Sequence, residues 1–136
     1  MWIALQERIW QNPLMDDQFP SSRSNEDIGY RLQLTRRALG YAQVLIAKLA
    51  NIATTTWNNY ETGTRRPSTT EALKMKTRLN LPLDWIYDGD MGKLPAELVE
   101  KIYAEHAKDR DDEFNERASP PSRPRPTHPH RRPPRR

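Results

Sequence analysis

The spacing of the apolar residues constrains the fold more than any other feature of this sequence. One run consists of Ile28, Leu32, Thr35 and Leu39, and Gly40 follows it. Steps of three and four residues place such side chains on one face of an α-helix, and a glycine after the last of them is typical of a helix end. No stretch of strand length alternates between apolar and polar residues. The pattern therefore predicts an all-α domain.

Signals for helix ends divide this region into six predicted helices. Ser24 and Ser68 each precede an acidic residue by three positions, which is the spacing of a capping box. Gly63 and Gly89 follow the last apolar residues of two further helices, as helix-ending glycines do. The second helix is predicted over Gln43–Ala50 and the third over Thr54–Glu61, and the others begin near Ser24, Ser68, Pro82 and Pro95.

The charge of the chain is unevenly distributed. The formal net charge is +4, but residues 117–136 contain seven arginines and no acidic residue, so residues 1–116 are net acidic. Within that acidic part, residues 31–78 hold nine basic and two acidic residues, a net of +7. A basic block of this kind is expected of a surface that faces phosphates, although a solvated helix face would have the same charge.

Composition suggests four segments. They are a flexible N-terminal arm (1–24), a helical domain (25–92), a C-terminal helix (93–116) and a disordered Arg/Pro-rich tail (117–136). The tail is assigned as disordered because seven of its last eighteen residues are prolines and it lacks apolar residues for a core. Met15 is a second possible start of translation, and the sequence leaves open whether translation starts at Met1 or at Met15.

The sequence contains no pattern for catalysis, a metal, a cofactor or a small-molecule ligand. There is no cysteine, so a disulfide and a thiolate metal site are excluded. The three histidines, His106, His128 and His130, do not form a metal-binding pattern, and no glycine-rich phosphate loop is present. No apolar run has the roughly 20 residues of a membrane span. We therefore expect a cytoplasmic protein that is not an enzyme.

Residues 42–63 carry the most specific pattern, two short helices joined by a tight turn. Ala47 lies where the two helices would cross, and a small side chain there allows close approach. Asn51 occupies the turn, and asparagine is one of the few residues other than glycine that tolerate a left-handed backbone. Trp57 and Tyr60 are predicted to point inward from the second of these helices.

In detail, this region resembles the Cro/repressor (XRE) family of helix-turn-helix domains over about residues 26–90. The residues that carry the resemblance are Gln43-x-x-Ile46-Ala47-x-x-Ala50-Asn51-Ile52, Trp57-Asn58-Asn59-Tyr60-Glu61-x-Gly63, Arg66-Pro67, and Ala72-Leu73 with the closing Leu79-x-Leu81-x-x-Asp84-Trp85-Ile86-x-x-Gly89. The resemblance implies a five-helix lambda-repressor-like domain, to which this chain adds a C-terminal helix and the tail.

The resemblance also implies which residues would contact double-stranded DNA. The residues expected to meet base edges are Thr54, Thr55, Asn58 and Asn59. The residues expected to hold the DNA backbone are Gln43, Thr62, Arg65 and Arg66. Asparagine pairs with adenine through two hydrogen bonds and threonine offers a methyl group to thymine, so we expect a half-site richer in A·T. Glu61 is expected to fix the helix end instead of contacting DNA.

This sequence departs from the family pattern at four positions. Ala42 stands where a capping Ser or Thr is usual, and Asn51 replaces the usual glycine. Ala50 is smaller than the usual aliphatic residue, whereas Trp57 is larger than the usual Ile or Val. Our hypothesis is that the last two form one exchange, in which the indole fills the volume that Ala50 vacates.

The implied function is a sequence-specific DNA-binding transcriptional regulator, and more narrowly a repressor of phage, restriction or toxin–antitoxin type. The alternative is a helix-turn-helix protein-interaction module, such as an antitoxin that binds a partner protein. A regulator of this kind is expected to be a homodimer, because one domain reads only a few base pairs. Two apolar stripes are candidates for the seam, and they either pack together within one chain or join two chains. They are Val44, Leu45 and Leu49 in the second helix, and Leu94, Leu98, Ile102, Val99 and Tyr103 in the sixth.

Overall fold

The computed structural model describes residues 19–118 of the 136-residue chain, and these residues contain helices and no strand. The helices are α1 (Asn25–Leu39), α2 (Gln43–Ala50), α3 (Thr54–Glu61), α4 (Thr69–Leu79), a π-helical turn (Asp84–Asp88) and α5 (Ala96–Ala118). The predicted all-α class is therefore confirmed. Among the described residues, those up to His106 form one compact unit and those from Ala107 to Ala118 belong to another. The predicted tail lies outside the described residues, except for its first two positions, which are the last of α5.

The predicted helix ends are present, with hydrogen bonds that explain them. The hydroxyl of Ser24 accepts from the backbone N–H of Asp27 at the start of α1, and Ser68 caps α4 in the same way. Gly40 has φ of 77° after α1, and Asn51 has φ of 57° after α2. Both values lie in the left-handed region, where glycine and asparagine are tolerated best. Local sequence signals therefore fix where these helices begin and end.

The N-terminus of α2 has no side-chain cap. Ala42 takes the extended N-cap backbone conformation, but it has no side-chain oxygen to accept from the first turn. Ala53, the N-cap residue of α3, also makes no capping hydrogen bond. The first N–H groups of an α-helix have no partner within the helix. Both helices of the turn motif therefore begin with backbone donors that no side-chain cap satisfies.

Supplying the missing cap should stabilise the protein. Ala42→Ser adds a hydroxyl that can accept from the first turn of α2, which is expected to raise the free energy of unfolding by about 1 kcal/mol. For a domain of this size, thermal unfolding followed by circular dichroism should then show a midpoint roughly 5 °C higher. Ala42→Val, which adds bulk without an oxygen, is the control and should give no increase. An equal gain in both variants would contradict the capping explanation.

The core of the domain is built around two fully buried tryptophans, Trp57 from α3 and Trp85 from the π-helical turn. The aliphatic residues packed with them include Leu32, Ile46 and Met75, all with no exposed surface. Ala50 is also fully buried. The proposed volume exchange between Ala50 and Trp57 stays a prediction, which a single substitution tests.

Ala50→Leu is expected to overpack the interior and to lower the free energy of unfolding by about 1–3 kcal/mol, because the fully buried site must take three more carbon atoms. Chemical denaturation followed by tryptophan fluorescence measures the loss. The same exchange at the exposed Ala104 of α5 is the matched control, with an expected change of less than about 0.5 kcal/mol. An Ala50→Leu variant as stable as the original protein would contradict the hypothesis.

Residues 19–24, which the sequence assigns to a flexible arm, pack on the helical domain in this structure. The ring of Phe19 lies 5.0 Å from that of Tyr103 and 6.3 Å from that of Trp85. The carbonyl oxygens of Pro20 and Ser22 accept hydrogen bonds of 2.8 and 2.6 Å from Arg31. We call residues 19–24 the strap. The rest of the predicted arm, residues 1–18, lies outside the described residues.

Arg31 is fully buried, although its place in the basic block predicts a surface charge. Besides the two strap carbonyls, it donates to the carbonyl oxygen of Ile86 at 2.8 Å and lies over the ring of Trp85. Burial lowers the pKa of this guanidinium from its usual value, and the nearby carboxylates of Asp27 and Asp88 act in the opposite direction. The residue therefore joins the strap, α1 and the π-helical turn.

The apolar stripe of α5 is largely covered within the chain. Leu94 and Ile102 are buried, whereas Leu98 and Val99 are partly buried against the same core. Tyr103 is 46% exposed. The stripe of α2 is not covered by α5 or by any other element among the described residues, because Val44, Leu45 and Leu49 are 66%, 44% and 41% exposed. The two stripes therefore do not bury each other within one chain.

Within residues 19–118, no helix combines the length and the apolar character that a membrane span requires. No group of three or more histidine, aspartate or glutamate side chains is placed so that it could hold a metal ion there.

Candidate nucleic-acid interface

The outward face of α3 is polar, and its inward face is apolar. Thr54, Thr55 and Asn58 are exposed, and Asn59 is partly exposed. Trp57 and Tyr60, on the opposite face, are almost completely buried. The structure thus presents at the surface the four residues that the sequence suggested for base contacts, on a helix short enough to lie in a major groove.

Close packing of α1 against the end of α3 fixes the position of this face. A Cβ added to Gly29 of α1 would lie 2.1 Å from the carbonyl oxygen of Tyr60, so only glycine fits between the two helices. Gly63, just after α3, has φ of 77° and approaches the backbone of Glu26. At these two contacts the backbones of α1 and the end of α3 lie as close as glycine allows.

Glu61, the last residue of α3, joins three helices. Its carboxylate accepts from Arg36 of α1 through two bonds of 2.7 and 3.1 Å, and their side chains are only 3% and 15% exposed. The same carboxylate accepts from the indole N–H of Trp57 and, at 3.0 Å, from the amide of Gln43 at the start of α2. The sequence predicted that Glu61 fixes a helix end. In the structure its carboxylate joins α3 to α1 and α2.

Gln43 is partly buried, and its side chain turns toward α3. Its Nε2 donates to Asn58 Oδ1 at 3.1 Å as well as to Glu61 Oε1. The sequence assigned Gln43 to a backbone phosphate and Asn58 to a base, with no contact between them. The structure brings the two side chains together. A phosphate at the N-terminus of α2 would meet backbone N–H groups that Ala42 leaves without a side-chain cap.

The loop after α3 holds the other three residues assigned to the DNA backbone, Thr62, Arg65 and Arg66, and all are exposed. The hydroxyl of Thr62 donates to the carbonyl oxygen of Asn59 and lies 2.8 Å from that of Thr64. Arg66 donates to the side chain of Asn25 and to the carbonyl oxygen of Arg23. Arg66 therefore also ties this loop to the strap and to the start of α1.

Two tyrosines support this loop from beneath. The hydroxyl of Tyr87 donates to the carbonyl oxygen of Pro67 at 2.9 Å, and Tyr60 interacts with Ser68. Burial raises the pKa of both phenols above the usual value. Both phenols are thus neutral near neutral pH. Tyr87 donates to the loop and Tyr60 contacts Ser68 at its far end, so the two side chains hold the loop close to the end of α3.

The electrostatic prediction needs one correction. Arg31 and Arg36 were counted in the basic block, but both are turned inward and bound to groups of the domain. Lys48, Lys76 and Arg78 are exposed, as are Arg65 and Arg66. The surface charge is therefore still basic, but smaller than the sequence count implied. No local signal in the sequence distinguishes an arginine that binds buried carbonyls from one that faces solvent.

Two short helices joined by a left-handed residue, with an exposed polar second helix, define a helix-turn-helix protein. Residues 32–86 match the family model described as "Helix-turn-helix". This part of the chain is a Cro/repressor-type (XRE-family) helix-turn-helix domain with a lambda-repressor-like fold, followed by an added C-terminal helix. The match supports a DNA-binding transcription regulator, a class that is generally non-enzymatic. No curated protein matches the chain, and no solved structure does.

Proposed function

We propose that the protein is a repressor of phage, restriction or toxin–antitoxin type, which binds a two-fold symmetric operator as a homodimer. The observation that carries this proposal is the polar outward face of α3, formed by Thr54, Thr55, Asn58 and Asn59. The face belongs to a helix whose end packs closely on α1 at Gly29 and is bound to α1 through Glu61. A repressor needs no more than stable occupancy of its site, and a closely packed reading helix favours this.

The base contacts in this proposal come from the four residues of α3. Thr54 and Thr55 lie in the first turn of the helix, where the helix N-terminus approaches base edges in helix-turn-helix complexes. Asn58 and Asn59 lie one turn further along. A threonine methyl group favours thymine, and an asparagine amide favours adenine, so we expect A·T pairs at the centre of each half-site.

The backbone contacts flank the reading helix on two sides. Gln43 begins α2, where its backbone N–H and the positive helix end would hold one phosphate. Thr62, Arg65 and Arg66 follow α3 and would hold a second group of phosphates. Arg65 is the best placed for a direct charge contact, because the side chain of Arg66 is already bound to Asn25 and to the strap.

Binding to a library of random DNA duplexes at several salt concentrations tests the proposed function. A repressor should enrich one palindrome, with half-sites about one helical turn apart, and should lose affinity steeply as salt rises. Thr55→Ala/Asn59→Ala should abolish the enrichment, while the exposed Thr77→Ala on α4 should keep it. Weak binding that depends on salt but enriches no sequence would contradict the proposal.

A homodimer needs an apolar surface that is not already buried within the domain. The apolar stripe of α2, formed by Val44, Leu45 and Leu49, satisfies this condition better than the stripe of α5, which is largely covered. Light scattering after size exclusion should give the mass of a dimer. Leu45→Glu/Leu49→Glu should give a folded monomer, since both side chains are exposed, and Tyr103→Glu serves as the control on α5. A dimer unaffected by the α2 substitutions would exclude this stripe as the interface.

The exposed stripe of α2 also favours the alternative, an interaction module such as an antitoxin that binds a partner protein. Val44 is the most exposed of the three apolar residues, at 66%. Such a module has no need of a selected DNA sequence. A chain that is monomeric by light scattering and enriches no duplex would therefore support the interaction module over the repressor.

A further inference from the structure

We infer that Gln43 is a positioning residue for DNA reading: it sets the orientation of the Asn58 amide, and its side chain is not a phosphate ligand. This inference rests on the proposed function, because it concerns how α3 reads bases. It differs from the assignment of Gln43 made from sequence, which placed its side chain on the DNA backbone. The contacts among Gln43, Asn58 and Glu61 carry it.

The side-chain hydrogen-bond donors of Gln43 are fully used within the protein. An amide nitrogen carries two hydrogens, and Gln43 Nε2 donates to both Asn58 Oδ1 at 3.1 Å and Glu61 Oε1 at 3.0 Å. Phosphate oxygens are acceptors at neutral pH, so a ligand side chain must donate to them. In this arrangement the Gln43 side chain has only its carbonyl oxygen left, and this atom cannot bind a phosphate oxygen.

The carboxylate of Glu61 determines which way both amides face. An ionised carboxylate only accepts hydrogen bonds, so Gln43 must present its nitrogen to Glu61. The same nitrogen then needs an acceptor on Asn58, which is Oδ1 and not Nδ2. Glu61 itself is held by Arg36 and Trp57, and its side chain is only 3% exposed. The orientation therefore passes from a buried ion pair, through Gln43, to a side chain on the surface of α3.

The consequence for DNA is that Asn58 is presented with its donors free. Its Oδ1 is bound to Gln43, while Nδ2 has no partner among the described residues. Its orientation therefore favours donation to an acceptor on a base edge, such as N7 of a purine. Gln43 Oε1, beside it, is a free acceptor. Asn58 can discriminate among bases only if its amide stays turned in this way, and Gln43 is what holds it.

The test is a mutant cycle read out as base preference. The full-length protein, Gln43→Met, Asn58→Ala and the double variant are each selected on random duplexes. We expect Gln43→Met to relax the preference at the same base pair as Asn58→Ala, by about 5- to 100-fold at that position. The double variant should lose no more than either single variant. The salt dependence of binding should stay unchanged, because no phosphate contact is lost.

A side-chain phosphate contact would give a different result. Gln43→Met would then weaken binding about equally on all sequences, would reduce the salt slope by about one, and would add to the effect of Asn58→Ala. That outcome overturns the inference and leaves the proposed function intact. If the protein without substitutions enriches no sequence, both the inference and the proposed function are overturned.

A measurement without DNA separates positioning from a general loss of structure. The side-chain amide signal of Asn58 in a ¹H–¹⁵N spectrum should shift in Gln43→Met, while the backbone signals of α4 stay in place. Gln43→Glu offers a second comparison, since it has nearly the same shape but no amide donor. If the Asn58 amide signal is the same in the original protein and in both variants, Gln43 does not position it.

Discussion

Arg31→Met is expected to lower the free energy of unfolding by about 3 kcal/mol, because it leaves the buried carbonyl oxygens of Pro20 and Ile86 without their donor. Methionine is close to arginine in length, so the loss comes chiefly from the hydrogen bonds and not from a cavity. Native domains have only about 5–15 kcal/mol of stability in total, so this one residue accounts for a large share of it. The strap should detach from α1 in the variant.

Thermal and urea denaturation measure the effect, and the expected fall in the thermal midpoint is roughly 15 °C. Arg23→Met is the matched control. Arg23 also joins the strap to the π-helical turn, through Asp88 at 2.6 Å, but its side chain is 79% exposed. An exposed pair of this kind contributes at most about 1 kcal/mol. Equal losses in the two variants would mean that burial of Arg31 is not what makes it important.

The helices were predictable because the signals that begin and end them lie within a few residues of one another. A serine three positions before an acidic residue caps its own helix, and Asn51 turns the chain at the place where it stands. The short element at Asp84–Asp88 was expected from Pro82 and Gly89, but its π-helical form was not. Its backbone bonds differ from those of an α-helix by one residue, and no side-chain signal marks that difference.

The buried arginines were not predictable, because their partners are distant in sequence. Arg31 donates to the backbone carbonyl oxygens of Pro20 and Ile86. Every residue has a backbone carbonyl, so the sequence cannot show which residues will be its partners. Arg36 pairs with Glu61, twenty-five residues away. In the sequence both arginines look like part of a charged surface. Only the packing of α1 against α3 shows that they are turned inward.

The exposed polar face of α3 was predicted from the sequence, whereas the side-chain contacts that position it were not. The outward positions of α3 follow from the inward positions of Trp57 and Tyr60, which periodicity and the family resemblance both indicate. The contact between Gln43 and Asn58 depends instead on where a third residue, Glu61, holds its carboxylate. The family pattern assigns a role to each residue separately. In the structure, Gln43 acts through Asn58, and a sequence pattern does not show such a contact.

The Arg36–Glu61 pair gives the second large expected effect. Glu61→Gln should lower the free energy of unfolding by about 3–4 kcal/mol, because it leaves the guanidinium of Arg36 mostly buried without its counter-charge. The change also replaces an oxygen that accepts from Arg36, Gln43 or Trp57 by a nitrogen that donates. One of these donors must then face another donor. Urea denaturation at neutral pH measures the loss.

Glu97→Gln is the matched control, because Glu97 pairs with Lys101 at 3.3 Å but its side chain is 80% exposed. We expect a change of less than about 0.5 kcal/mol there. A second comparison, Arg36→Met/Glu61→Met, removes both charges and should recover part of the stability that Glu61→Gln loses, since no unpaired charge remains. If Glu61→Gln is as stable as Glu97→Gln, the carboxylate does not hold α1, α2 and α3 together. If Arg36→Met/Glu61→Met is less stable than Glu61→Gln, the loss in Glu61→Gln does not come from an unpaired buried charge.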